Sequence, residues 1–444
     1  MNTIELNPPA AVLDIAQKLE NAGYETWAVG GAVRDALLGH YLADWDLTTK
    51  ASPTEVRRIF KRTVPIGIEH GTVGVLAKDG VMYEVTTFRR DVETFGRHAV
   101  VEFAQTVEED LARRDFTFNA IAWHPLRKEL RDPYRGFEDL RNALLRTVGE
   151  PRERFAEDYL RVLRALRFAG HYVLKIDPPT WEALQEATPF LPQLSAERVR
   201  EELWKVLGKT AHASVTMELY ADSGALRMVL PEVDAIRELE QETGAPLWTH
   251  TLAAIDTLPV TRPLLRLAML LHGVGAPTAK VKDLKGKWRF IGHEVLGART
   301  AEEIMRRLRS SNADIERVHH LVQMQSELFP PDARPAVVRQ WLVQIGLDYV
   351  RDCFRFRIAH ARGSGSSGAD LVERWRLAHR VMLAHPPLGT SELAINGRDL
   401  KLLGLQPGPQ FGAILDALLA RVLEDPNLNE RETLLNIVRA EMPT

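Results

Sequence analysis

One stretch constrains this chain more than any other: Gly30-Gly31-Ala-Val-Arg34-Asp35-Ala-Leu-Leu-Gly39-His-Tyr-Leu-Ala-Asp44-Trp-Asp46-Leu-Thr-Thr49. The apolar run Trp27-Ala-Val29 puts a strand just before the two glycines. Ala32 to Leu38 are good helix formers, and Gly39 suits the helix C-cap. A glycine pair at a strand end lets the backbone approach a ligand closely, and the helix start offers free N–H groups to a phosphate. Asp44 and Asp46 lie two apart, so on a strand they point to one side. Two adjacent carboxylates in a partly dry site repel unless a cation lies between them. The chemistry suggested is a Mg²⁺ site facing a triphosphate. The plainer alternative is a surface Asp pair after an ordinary helix.

The surroundings of this stretch mix strands and helices. Residues 10–22 read as an amphipathic helix ending near Gly23. Ser52-Pro53-Thr54-Glu55 is a capping box with proline at N1 and predicts a helix over 53–62. Gly71–Ala77 and Val81–Thr87 are β-rich runs joined by Lys78-Asp79-Gly80, a hairpin signal. Glu84 sits mid-strand, where acids are disfavoured. It is a candidate third carboxylate beside Asp44 and Asp46, against the alternative of an exposed edge glutamate. The charged segment Phe88–Phe103 reads as a loop between strands, and acidic residues from Glu108 start a helix.

After about residue 150 the helical period dominates. Arg362-Gly-Ser-Gly-Ser-Ser-Gly368 reads as a linker, and Pro407-Gly-Pro409 splits the last region into two helical pieces. The chain of 444 residues calls for several domains. Its lone cysteine, Cys353, excludes an internal disulfide and any Cys-based zinc cluster. Together with the absence of a leader-like N-terminus or a membrane-length apolar run, this points to the cytoplasm and no membrane partner.

The ordered motifs resemble the class II tRNA nucleotidyltransferase family, which includes CCA-adding enzymes and bacterial poly(A) polymerases. They are Gly30-Gly31-x-x-Arg34-Asp35 with Asp44-x-Asp46; Arg113-Arg114-Asp115-Phe-Thr-Phe-Asn119; Asp132-Pro-x-x-Gly136-x-x-Asp139; Glu157-Asp158-x-x-Arg161-x-x-Arg164-x-x-Arg167; and Pro407-Gly-Pro with Asn427-x-Asn429-Glu-Arg431. The resemblance implies an α+β protein: a polymerase-β-like nucleotidyltransferase head with a mixed sheet (1–145), then an all-α neck (146–210), body (211–362) and tail (369–444). It implies Asp44 and Asp46 as Mg²⁺ ligands, Gly31 and Arg34 as a phosphate cradle, and Arg114, Asp115 and Asn119 as the ribose-reading segment. A surface ion pair is the alternative for Arg113 and Arg114.

Asp158 and Arg161, one turn apart on a helix, combine an acceptor with donors. Cytosine and adenine both present an amino donor beside a ring acceptor; guanine and uracil reverse that pattern. One Asp–Arg pair therefore selects C and A without a template. Arg164 and Arg167 continue at threes and spiral away, towards phosphate or as braces of the neck.

Two departures from the family pattern stand out. Arg135 replaces the first of a usual Gly-Gly pair and is expected to stiffen the hinge between head and neck. The segment from Arg89 to Phe103 is shorter than the family's loop, and relatives with a deletion there stop after CC.

A second echo lies at His250, His272-Gly273 and Gly292-His293-Glu294, which are similar to the HD phosphohydrolase core. There an Asp follows the second His; Gly273 replaces it here, so this region reads as a degenerate, structural HD-like fold. Basic runs at Lys280–Arg289, Arg306–Arg309 and Arg351–Arg362 suggest an RNA-facing surface.

The expectation is a template-independent enzyme adding CC or CCA to the tRNA 3′ end from CTP and ATP. The alternatives are a CC-only enzyme, a poly(A) polymerase, an HD-type phosphohydrolase or a non-catalytic RNA-binding module.

Overall fold

The computed structural model describes residues 5–40, 45–68, 71–95, 98–240, 246–284 and 288–441; the side chains of 91–101 lie outside this description. The chain divides into two compact units, 1–231 and 232–444.

The first unit opens with α1 (Ala10–Asn21), β1 (Thr26–Val29), α2 (Gly31–Leu37), β2 (Asp46–Thr49) and α3 (Pro53–Ile59). The amphipathic helix, the glycine-turn helix and the Ser52 capping box are all where the sequence puts them. Helix α2 ends as its composition predicts: Gly39 has φ +79°, its N–H meets the Ala36 carbonyl, and the His40 N–H meets the Asp35 carbonyl. This double closure needs a left-handed residue at Gly39.

Strands β3 (Thr63–Gly67), β4 (Thr72–Leu76) and β5 (Met82–Thr87) follow, with β4 and β5 forming the expected antiparallel pair. The segment read as a loop is instead an antiparallel hairpin of β6 (Arg89–Phe95) and β7 (His98–Phe103). Its β-branched and aromatic residues outweigh its charges.

Beyond it come α4 (Val107–Ala112), β8 (Ala122–Trp123), β9 (Leu130–Arg131) and α5 (Gly136–Arg141). The seven-stranded sheet has the order β3-β4-β5-β2-β1-β8-β9, mixed because β2 runs parallel to β5 while its other neighbour is antiparallel. Trp27 and Val29 point to one face and pack with Val107, Leu111, Ala120 and Ala122.

Strand β10 (Leu144–Leu145) leads to α6 (Pro151–Glu157) and α7 (Leu160–Tyr172). β10 pairs in parallel with β11 (Lys175–Ile176), so hydrogen bonds stitch the sequence across the expected head–neck boundary. Helices α8 (Pro178–Ala187), α9 (Ala196–Lys209), α10 (Ala213–Asp222) and α11 (Ala225–Val229) follow, with α7 packed on α9 and α10.

The second unit is helical apart from the short pair β12 (Lys280–Lys282) and β13 (Trp288–Phe290). It contains α12 (Pro231–Asp234, at the junction), α13 (Leu247–Asp256), α14 (Pro263–Leu271), α15 (Ala276–Ala279), α16 (His293–Arg307), α17 (Asn312–Gln323), α18 (Pro335–Ile345), α19 (Leu347–Gly363), α20 (Ala369–Leu383), α21 (Gly397–Leu402), α22 (Pro409–Glu424) and α23 (Arg431–Glu441). The glycine-serine linker falls between α19 and α20, and Pro407-Gly-Pro409 falls between α21 and α22, as read from sequence. The last helices close on their own core of Leu400, Leu418, Val422, Leu434 and Val438. Among the described residues no helix is long and apolar enough to cross a membrane.

Candidate active site

The glycine turn lies at one end of the sheet. Gly30 has φ +73° and ψ −137°, a conformation closed to residues with a Cβ. A Cβ there would also lie 3.2 Å from Arg114 Nη1 and 3.9 Å from Asp46 Oδ2. The same turn thus brings together the start of α2, Asp46 at the start of β2, and the Arg114 guanidinium. Asp46 lies opposite Val29 across the β1–β2 ladder. Leu47 is opposite Val85 on the parallel strand β5, so Asp46 and Glu84 point to one sheet face. Glu84 is exposed there. Asp44 lies outside the described residues. Carboxylate oxygens are the donors that hard divalent cations take, so the Asp46 and Glu84 pair fits such an ion chemically.

Behind this end runs a buried polar chain. Tyr172 donates to Asp35 Oδ1 at 2.7 Å, and Arg34 Nε donates to the same oxygen at 2.8 Å. Arg34 Nη1 donates to Asn119 Oδ1 at 2.7 Å, and Asn119 Nδ2 to Asp115 Oδ1 at 2.9 Å. Arg164 closes the chain on Asp115 Oδ2 through Nε at 2.8 Å and Nη2 at 2.6 Å. Arg34 also lies over the rings of Phe168 and Tyr172. Burial alone pushes the Asp115 carboxyl up, but Arg164 and the bond from Asn119 outweigh it and hold it at about 2. The predicted phosphate residue Arg34 and the predicted ribose residues Asp115 and Asn119 are therefore one network that ties α2 to α7. Gly31 sits at its edge, with a Cβ position 3.4 Å from Arg34 Nη2.

Arg114 and Arg113 both pair with the buried Asp110, at 3.2 and 3.1 Å. Burial would raise Asp110, yet the two guanidinium groups hold it below its usual range. Both arginines thus form ion pairs, on a shared buried carboxylate rather than at the open surface. The third motif supports this segment. Asp132 accepts from the N–H groups of Gly136 and Phe137 at 2.7 and 2.9 Å, which caps α5. Gly136 lies against the Thr117 backbone, where a Cβ would be 2.1 Å from its carbonyl oxygen, and Asp139 accepts from the Thr117 hydroxyl at 2.7 Å.

The fourth motif needs correction. Asp158 and Arg161 do not share a helix. Helix α6 ends at Glu157 and α7 begins at Leu160, with Asp158 extended between them at φ −157°, ψ 106°. The Asp158 side chain accepts from the Leu160 N–H at 3.0 Å, a local bond that competes with helix continuation. Its ion-pair partner is Arg198 of α9, which binds both carboxylate oxygens at 3.1 and 2.7 Å. Arg161 instead donates to Glu157 and to the Arg154 carbonyl, and reaches the Arg113 carbonyl at 3.4 Å. Sequence reasoning missed Arg198, which lies 40 residues from its partner and carries no local motif. Arg167 braces the neck: it pairs with the buried Glu202 at 2.6 Å and covers the Phe168 ring.

Arg135 is the N-cap of α5 in left-handed backbone, φ +60° and ψ 30°. Within the basic runs of the second unit, four arginines have acidic partners: Arg289 pairs with Asp283, Arg306 with Glu302, Arg307 with Glu232 and Arg355 with Asp352.

A polymerase-type head with an Asp-bearing strand beside a glycine turn, followed by helices, defines the class, and comparisons with known proteins agree. Residues 26–146 match the family "Poly A polymerase head domain", 174–237 match "Probable RNA and SrmB- binding site of polymerase A", and 280–438 match tRNA nucleotidyltransferase domain 2. The chain is 33% identical over 428 residues to a CCA-adding enzyme of Levilactobacillus brevis, covering 96% of each. It is 32% identical to that of Geobacillus stearothermophilus, covering 97% of this chain and 96% of the relative. The crystal structure of a Bacillus stearothermophilus CCA-adding enzyme in complex with CTP superposes with a TM-score of 0.76 at 29% identity, covering 97% of this chain and 98% of that one. The chain belongs to the CCA-adding enzyme family, a set of nucleotidyltransferases.

Proposed function

We propose that this protein adds C, C and A in turn to the 3′ end of tRNA, taking the nucleotides from CTP and ATP. The observation that carries the reading is the meeting of Asp46, Gly30 and Arg114 at one sheet end, on a chain related to CCA-adding enzymes over nearly its whole length. The tRNA 3′-hydroxyl attacks the α-phosphorus, and pyrophosphate leaves. Mg²⁺, held by Asp44 and Asp46, would supply charge to neutralise the triphosphate and activate the hydroxyl. Glu84 adds a third carboxylate on the same face. Arg114, at the glycine turn, faces the incoming nucleotide, while Arg34, Asp115 and Asn119 keep the segment in place through buried bonds. Asp158 and Arg161 read the base edge from separate backbone settings, and Arg198 orients the Asp158 carboxylate through two hydrogen bonds.

Full CCA addition is favoured over the CC-only and poly(A) readings by the names of the relatives. An HD-type phosphohydrolase is disfavoured because Gly273 leaves no carboxylate after His272. Incubation of tRNA lacking its terminus, or ending in CC, with CTP and ATP offered separately tests the proposal. Trimmed tRNA should take two C, and tRNA ending in CC should take one A. Refusal of A would mean a CC-only enzyme, and repeated A addition a poly(A) polymerase.

A further inference from the structure

The second unit holds a histidine cluster that nucleotidyl transfer does not use. His250 lies on α13, His272 follows the last residue of α14, and His360 lies near the end of α19. A ring nitrogen of each comes within 4.8 Å of those of the other two. The ring centroids are 5.5 Å apart for His250 and His272, 4.3 Å for His250 and His360, and 5.2 Å for His272 and His360. The sequence echo named His293 as the third histidine; the structure puts His360 in that place.

Hydrogen bonding fixes what these rings offer. His272 Nδ1 lies 2.7 Å from the Met269 carbonyl oxygen. A carbonyl only accepts, so Nδ1 carries the proton and Nε2 presents a lone pair. That Nε2 is buried with no hydrogen-bond partner. His250 Nδ1 lies 2.9 Å from Ser364 Oγ, a hydroxyl able to accept its proton, and its buried Nε2 has no partner either. His250 and His272 are only 3% and 2% exposed. Metal-bound imidazoles are oriented in this way, with the second nitrogen held by a carbonyl or hydroxyl. A Cβ at Gly273 would lie 2.9 Å from Leu247 Cδ2, so a carboxylate after His272 would require the Leu247 side chain to shift.

We propose that His250, His272 and His360 hold one divalent transition-metal ion of the Zn²⁺ class, with water, hydroxide or a small oxyanion in the fourth position. Imidazole suits zinc and cobalt, whereas the carboxylates of the head suit magnesium, so the two sites take different metals. The ion ties α13, α14 and α19 together, which gives this HD-like region a metal centre built without the missing aspartate.

The test uses the full-length protein, stripped with a chelator, dialysed and titrated with Co²⁺. One equivalent should produce the visible d–d bands of four-coordinate cobalt, and one equivalent of Zn²⁺ should bleach them. His360→Asn and His250→Gln should each weaken Co²⁺ binding at least ~10-fold. Asp46→Asn should keep the bands, which locates them away from the head. Circular dichroism checks that the variants are folded, and the wild-type titration decides the point even if they are not. No four-coordinate bands at stoichiometric Co²⁺, bands that survive both histidine substitutions, or bands lost in Asp46→Asn would each overturn the proposal.

Discussion

At Gly30 the backbone conformation and the space around it make the same demand. The φ of +73° excludes a side chain, and a Cβ would lie only 3.2 Å from Arg114 Nη1. Strain of this kind costs ~1–3 kcal/mol, which at the site becomes a rate loss of ~10- to 100-fold. Gly30→Ala should therefore lower kcat/KM for CTP by that factor while the fold persists, as steady-state kinetics and circular dichroism would show. Arg135 presents the converse. It occupies left-handed backbone that favours glycine, so Arg135→Gly should raise stability by ~1 kcal/mol in urea unfolding. Asp115 links the network to pH. Its folded carboxyl titrates at about 2 against an ordinary 3.8, a lowered value. The group therefore stabilises the fold above about pH 4, and that contribution of ~2 kcal/mol is lost as the pH falls from about 4 to about 2. The stability gap between wild type and Asp115→Asn should narrow over that window. The glycine turn and Asp115 were legible in the sequence because their signals are local. The Asp158–Arg198 pair was not, because no spacing rule joins residues 40 positions apart.

At the scale of elements, helices with caps and clear periodicity matched their sequence signals. The failures came where local chemistry competed with a period. Asp158 sits within an unbroken helical pattern, yet its side chain bonds the Leu160 N–H and the helix stops. The β6–β7 hairpin was hidden by its charges, because Arg89, Arg90, Asp91 and Glu93 in close succession read as a loop. If this hairpin governs the change from C to A addition, then replacing residues 90–102 by a short glycine turn should leave C addition to trimmed tRNA intact. The same variant should cut A addition to tRNA ending in CC at least tenfold. Equal loss of both would mean that the hairpin only supports the head.

For the whole molecule, the motif order predicted the class of fold, and the seven-stranded head with its helical continuation bears it out. The division into two units at residue 231 was not legible, because the sequence around Leu230-Pro231-Glu232-Val233 carries no glycine- or serine-rich linker. The central claim is that a chain without a template selects C and A through Asp158 and Arg161. The direct measurement offers trimmed tRNA all four nucleoside triphosphates at equal concentration and sequences the products of the wild type and of Asp158→Ala. The account predicts CCA alone from the wild type, and G and U among the products of the variant. G or U in the wild-type products, or unchanged selectivity in the variant, would contradict it.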